Sequence, residues 1–284
     1  MKRGLVLEGG AMRGLFTAGI MDVMMENDIA PDGVVGVSAG ACFGCNYKSR
    51  QPGRAIRYNM RFARDKRYSG LWSWLTTGNV FNAEFAYHVV PTTYDLFDYD
   101  TYNANPMEFH VVCTDVNTGE AVYHRLDTMD HEGLEWIRAS ASLPLASRIV
   151  EVGGCQLLDG GLADSVPLPY FQQLGYDRNI VILTRPRDYV KAPMGHARLL
   201  RWLLRKHPAV AEAMLNRHTL YAEQVDYAHS EATAGRALML QPDTDLGIPH
   251  VCHDAELMRR VYETGREMGQ RRLGEIAEFL TPSP

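Results

Sequence analysis

Ser38 stands in Gly36-Val37-Ser38-Ala39-Gly40, a G-x-S-x-G pentapeptide. Glycines flanking a serine at a strand-to-helix turn let the backbone bend sharply, so the hydroxyl projects at a sheet edge toward the dipole of the following helix. That is the setting of a serine nucleophile in acyl transfer. Such a hydroxyl is weak until a base takes its proton. Among the acids, Asp159 closes the apolar run Cys155-Gln156-Leu157-Leu158 and precedes Gly160-Gly161. An Asp-Gly-Gly at a strand end makes a turn as readily as it serves a reaction, so the residues alone leave both readings open.

A second glycine-rich segment, Glu8-Gly9-Gly10-Ala11-Met12-Arg13-Gly14, follows the first apolar stretch. A dinucleotide site would need G-x-G-x-x-G here and an acid about 20 residues on, at the end of the second strand. The chain has G-G-A-x-x-G instead, and its second strand ends in the serine motif. The physical alternative is that the N–H groups of Gly9, Gly10 and Ala11 hold the charge of a tetrahedral intermediate formed at Ser38. A non-catalytic scaffold that binds a nucleotide or another anion on the glycine loop is the reading from a different class.

The elements around these motifs make the pairing plausible. Residues 3–8 read as a strand, 14–27 as a helix and 33–37 as a second strand, a βαβ unit. Its right-handed crossover sets the strands parallel and brings the Gly9 loop and the Ser38 turn to one edge. Further strands are expected at 108–113, 179–184 and 236–240, with a hairpin over 148–158 turning at Gly153-Gly154. A short helix is expected at 170–174 and a terminal helix at 253–280. Residues 54–67 carry Arg54, Arg57, Arg61, Arg64 and Arg67 and read as a helix with a solvated charged face. The aromatic-rich residues 68–99 are either an apolar wall beside a site or satellite core. In residues 197–206, Arg198, Arg201 and Arg205 share a helical face apart from Leu199, Leu200, Trp202 and Leu203, a pattern read first as core packing and second as membrane contact.

Composition narrows the partners. With 284 residues, 46% hydrophobic content and a net charge of -5, the chain supports a sizeable core and carries no electrostatic footprint for nucleic acid. The first apolar stretch breaks at Glu8, too early for a secretory segment, and no run is long enough to span a bilayer, so a cytoplasmic address is expected. The five cysteines, Cys42, Cys45, Cys113, Cys155 and Cys252, lack metal-ligand or disulfide spacing and read as reduced packing residues. No metal or cofactor is expected. The ten histidines read as bystanders, and Asp115 reads as a turn residue.

Taken in order, the Glu8–Gly14 segment, the Ser38 motif and Asp159-Gly160-Gly161 resemble the patatin-like phospholipase family, as does the block Ala139-Ser140-Ala141-Ser142-Leu143-Pro144. The resemblance spans about residues 1–190, and the remainder is similar to the bacterial branch with a helical C-terminal extension over 191–284. It implies a three-layer α/β sandwich with a mostly parallel central sheet. It also implies a Ser-Asp dyad in which Ser38 attacks an acyl ester, Asp159 accepts its proton and Gly9, Gly10 and Ala11 hold the oxyanion. Gly14, Gly36, Gly40, Gly160 and Gly161 fall on supporting motif positions. Arg13 matches the family's arginine, with the expected task of fixing the loop by pairing with a carboxylate. The family has glycine where this chain has Ala11, so a positive φ there would carry a penalty. The implied substrate is a phospholipid or other acyl ester, with hydrolysis first and acyl transfer as the alternative. The implied workplace is the cytoplasm, with transient contact at the inner membrane surface.

Overall fold

The computed structural model describes residues 2–281. Strand β1 (Lys2–Leu7) runs parallel to β2 (Gly33–Val37), with helix α1 (Gly14–Glu26) crossing between them. Both strands are apolar on both sides, as strands covered by helices on two faces must be. β3 (Glu108–Asp115) extends the sheet parallel to β2 and is flanked by two antiparallel partners, β4 (Ala121–Arg125) and β6 (Cys155–Asp159). β5 (Val150–Val152) and β6 form the expected hairpin around Gly153-Gly154. On the other side of β1 lie β7 (Tyr176–Ile182) and then β8 (Ala237–Leu240), both parallel. The eight strands form one sheet in the order β5-β6-β3-β2-β1-β7-β8, with β4 beside β3.

Alternation along the strands sorts the core into two layers. Leu5, Leu7, Val34, Phe109, Val111, Ile180 and Ile182 face α1, α2 (Ala39–Lys48) and α3 (Arg54–Phe62). Val6, Val35, Val37, Val112 and Val181 face the opposite layer. That layer includes α7 (Leu168–Gln173) and α9 (Pro208–Thr233), whose Phe171 and Ala228 join the same cluster. α4 (Leu71–Thr77), α5 (Tyr99–Ala104) and α6 (His131–Ser140) come between α3 and α7 in the chain, and α8 (Ala197–Leu203) between α7 and α9. The last helices are α10 (Ala255–Arg271) and α11 (Leu273–Leu280). Asp254 caps α10 by accepting from the N–H groups of Glu256 and Leu257, and the apolar stripe Met258, Val261, Tyr262 and Met268 faces inward. α10 lies directly on α1: a Cβ at Gly265 would sit 2.0 Å from the Phe16 carbonyl oxygen, so only glycine permits this approach.

Several expected elements change. The helix over 54–67 stops at Phe62, and Arg54 on it is buried rather than solvated. Its guanidinium donates to the Asp95 carbonyl and to Asn46, and Asp95 also pairs with Arg57 at 2.7 Å. A buried arginine is tolerated because its donors are occupied. The strand expected at 179–184 begins at Tyr176 and ends at Ile182, leaving Thr184 in the loop beyond. The terminal helix is broken at Arg272. β4 and α6 were not foreseen. Asp115 does form a turn, its Oδ1 accepting from the N–H groups of Asn117 and Thr118.

Candidate active site

Ser38 sits between β2 and α2 with φ 54 and ψ -120, a strained conformation for a residue with a side chain. The turn closes because the backbone can crowd: a Cβ at Gly40 would lie 2.4 Å from the Leu7 carbonyl oxygen, and one at Gly36 would lie 2.5 Å from the Gly40 carbonyl oxygen. The Ser38 N–H donates to Ser140 Oγ at 2.8 Å, and Ser140 donates onward to the Val112 carbonyl at 2.6 Å. Ser140 thereby ties the turn to β3 and gives a physical task to the Ala139–Pro144 block.

The Ser38 hydroxyl donates to Asp159 Oδ2 at 2.7 Å. Asp159 ends β6, its N–H held by the Ser142 carbonyl and its own carbonyl accepting from Thr114 Oγ1. Its second oxygen, Oδ1, accepts from the Gly161 N–H at 2.8 Å. The side chain is buried. Burial raises its pKa above the ordinary aspartate value, against the opposing effects of Arg217, the Ser38 hydrogen bond and the Gly161 hydrogen bond. A carboxylate so placed is a stronger base than one in water.

The glycine loop meets the serine as the βαβ crossover requires: a Cβ at Gly9 would lie 2.8 Å from Ser38 Cβ. The N–H groups of Gly9, Gly10 and Ala11 donate to no other group among the described residues. Ala11 has φ 49, so the conformation that favours glycine is indeed adopted by alanine here. Left-handed backbone at a non-glycine residue costs about 1–2 kcal/mol. Gly14 packs against Ala39, and Gly160 lies so close to β3 that a Cβ would meet the Val112 carbonyl.

Arg13 departs from expectation. It forms no ion pair among the described residues, and its Nε is buried without a hydrogen-bond partner. Burial, and then the charge of Arg185, lower its pKa. The loop is fixed instead through Glu8, whose Oε2 accepts from the Thr184 N–H and hydroxyl, and through the Thr184 hydroxyl, which also reaches the Gly9 carbonyl.

Two cavities meet at Ser38, sharing Ala11, Leu143 and His250. One, of about 250 Å³, is apolar and is lined by Met12, Phe43, Phe81, Tyr87, Val90 and Ile137 among others. The aromatic segment therefore supplies a wall of the site through Tyr68, Phe81, Tyr87 and Phe97, while Trp72 and Trp74 of α4 remain exposed. The other, of about 130 Å³, is polar and holds Arg13, Arg185, Lys191 and Arg217 beside Glu8 and Asp159.

No histidine bonds to Ser38 or Asp159 among the described residues. His88 pairs with Glu135, His110 meets Tyr170, His253 meets the Ala63 carbonyl and His124 stacks on Trp136. The Cys42 and Cys45 thiols are pushed up to about 12 and about 11 by burial. Among the described residues no cluster of histidine, cysteine, aspartate and glutamate could hold a metal ion. Sequence reasoning missed Ser140, Thr184, Lys191 and Arg217. The Ser140 block was at least noticed, whereas isolated basic residues on a loop and a helix carry no spacing signal.

The patatin-like phospholipase family matches residues 5–171, more than half of the chain, and the protein belongs to that family. Residues 207–281 match a second family, described as a domain of unknown function (DUF6363). The chain is 27% identical over 295 residues to the uncharacterized protein YjjU of Escherichia coli (strain K12), covering 98% of this chain and 78% of that one. It is 24% identical over 291 residues to lysophospholipase nte1 of Aspergillus terreus, covering 96% of this chain but only 18% of that larger protein. Among solved structures, VipD from Legionella pneumophila aligns over 96% of this chain and 67% of its own, at 12% identity and a TM-score of 0.46.

Proposed function

We propose that the protein is a serine-dependent lipid acyl hydrolase, a phospholipase or carboxylesterase, working through a Ser38–Asp159 dyad. The 2.7 Å contact of the Ser38 hydroxyl with the buried Asp159 carboxylate, at the mouth of an apolar cavity, is the observation that carries this reading. Family membership and the lysophospholipase relatives support lipid as the substrate class.

In this mechanism Ser38 Oγ bonds to the ester carbonyl carbon while its proton passes to Asp159 Oδ2. The N–H groups of Gly9, Gly10 and Ala11 hold the negative oxygen that results, a stabilisation worth about 10²- to 10³-fold per donor. The carbon–alkoxy bond then breaks, and Asp159 returns the proton to the leaving alcohol. Water repeats the sequence on the acyl-serine: its proton goes to Asp159, the fatty acid departs, and Ser38 recovers the proton. The acyl chain lies in the apolar cavity throughout.

Residues 1–190 form the hydrolase unit in this proposal, and residues 191–284 a mainly helical extension that completes its site. The working address is the cytoplasm, with transient docking on a membrane surface. Among the described residues no helix is long and apolar enough to cross a membrane. Leu71, Trp72, Trp74 and Leu75 are exposed on α4, whose Trp74 donates to the Leu145 carbonyl near the cavity mouth, and this supports the docking. α8 divides its apolar residues: Leu200 is buried, while Leu199, Trp202 and Leu203 are exposed. Arg201 of α8 is engaged with Glu212, so α4 is the better candidate for first contact.

A fluorophosphonate ester tests the central claim directly. It should label the wild-type protein at Ser38 and leave Ser38→Ala unlabelled and inactive on a short nitrophenyl ester. Turnover of Ser38→Ala near the wild-type rate would remove Ser38 from the reaction.

A further inference from the structure

We propose that the polar cavity is a subsite for a phosphate oxyanion carried by the substrate's alcohol portion, built by Lys191 and Arg217 together with Arg13. The site would select acyl esters whose leaving alcohol bears a phosphate, of the acylglycerol-phosphate type. This deepens the hydrolase reading and rests on it for the position of the ester at Ser38.

Four cations, Arg13, Arg185, Lys191 and Arg217, line a space of about 130 Å³ in which the carboxylates are Glu8 and Asp159. Among the described residues only Arg185 of the four is paired, with Asp245. Glu8 is engaged by Thr184, and Asp159 by Ser38 and Gly161. Three cations are thus left without an ion pair among the described residues, around a cavity that opens onto the nucleophile. Arg13 Nε is moreover buried with no acceptor, although an unmade hydrogen bond at a buried charged donor is costly.

Two groups in the chamber, Lys191 and His250, feel its positive charge. The Lys191 ammonium is lowered to about 8 by burial and by Arg217, Arg13 and Arg185, with Glu8 opposing. His250, which lines the same space, is lowered by burial and by Arg13, Arg185, Arg217 and Lys191. Assembling like charges in a partly desolvated chamber is unfavourable unless an anion enters it. The cations are also anchored: Lys191 sits over the Tyr221 ring at 4.7 Å, and Arg217 Nε donates to the Gly161 carbonyl at 2.5 Å. Among the described residues the remaining Arg217 nitrogens make no hydrogen bond, and the Arg217 charge also acts on the nearby Asp159 carboxylate.

The two cavities divide a substrate at its ester. With the carbonyl at Ser38 and the acyl chain in the apolar cavity, the alcohol side falls among the cations. Arg217, Tyr221 and His250 come from residues 207–281, so the region matched only as a domain of unknown function supplies part of the active-site wall.

The probe pair is 1-octanoylglycerol 3-phosphate and neutral 1-octanoylglycerol, both soluble, titrated calorimetrically into Ser38→Ala so that binding is read without turnover. The phosphate ester should bind about 10- to 100-fold more tightly, the range expected from charge-assisted hydrogen bonds. Adding Lys191→Gln or Arg217→Gln should cut that preference about 10-fold. Lys191 lies in a loop, so its variant keeps the test decisive should the Arg217 variant fail to fold. Equal affinity for the two esters overturns the proposal. Displacement of the neutral ester by inorganic phosphate, without preference for the phosphate ester, overturns it in favour of a free anion. If the Lys191 variant hydrolyses both esters more slowly by the same factor with the binding ratio unchanged, the cations serve the oxyanion and the proposal fails. A preserved binding preference in a wild-type protein that hydrolyses neither ester would support the subsite and sink the hydrolase reading alone.

Discussion

The apolar cavity and the cationic chamber share Ser38 but come from different stretches of chain. The first is walled mainly by α2, α3, α6 and the aromatic segment, all before β7, with His250 and Val251 joining from beyond it. The second takes three of its four cations from beyond β7. One compartment gains by excluding water and the other by concentrating charge, and these demands conflict within a single cavity. In the proposed reading, a serine at their boundary lets a two-ended molecule satisfy both, with its reactive bond held where the environments change.

The dyad at the boundary gives the largest expected effect. Asp159→Asn removes the proposed base and should lower kcat by roughly 10⁴-fold or more, as for members of one catalytic unit. Substitution of His250, the histidine that lines both cavities, should not share this loss. A folded His250→Ala with no activity would replace the dyad by a triad. The pH profile should agree: because burial raises the Asp159 pKa, kcat/KM should fall on the acid side with a midpoint above about 3.9, the ordinary aspartate value.

Filling the apolar compartment should act on one end of the substrate. Ala86→Phe, in the wide-turn helix Phe85–Tyr94, projects a ring into the cavity and should shift preference from long to short acyl chains by about 10-fold or more. An unchanged chain-length profile would mean that the acyl group lies elsewhere.

The charged compartment should respond to pH instead. Lys191 is protonated below about 8 and a phosphate monoester carries its second charge above about 6, so preference for the phosphate-bearing ester should be greatest between these pH values and decline above about 8. Its charged neighbours are Arg217 on α9, Arg13 after β1, Arg185 after β7 and Glu8 at the loop, with the Tyr221 ring beneath. The three arginines stay charged throughout, so the decline is partial, about several-fold. Parallel measurement of KM for the neutral ester separates this effect from a general loss of activity.

The smallest effect belongs to the loop between the compartments. Ala11→Gly relieves the positive φ but frees the unfolded chain, for a net stabilisation of about 0.5–1 kcal/mol, measurable by urea unfolding.

Much of the catalytic frame was legible because it depends on local chemistry. Gly36 and Gly40 are required by a turn, the βαβ pattern decides which loops meet, and Ala11 announced its own strain. The Lys191 and Arg217 contributions were not legible. Each is an ordinary basic residue in its local segment, and only the packing of α9 across the sheet edge brings Arg217 to Gly161. Arg54 was misread for the same reason: its helix looks solvated until Asp95, distant in sequence, folds over it. β4 was missed because it is half-exposed and short, with too few apolar positions to show alternation.

The contact of α10 with α1 has a consequence during synthesis. α1 is apolar on nearly every side, and one of its faces is covered by a helix whose Tyr262 reaches Asp22 from 240 positions later. At translation rates of about 5–20 residues per second, that face waits roughly 10–50 s for its cover. Throughout that interval the emerging α1 displays an apolar face without the helix that covers it, so slowing translation between the two helices should raise the fraction of chain that aggregates.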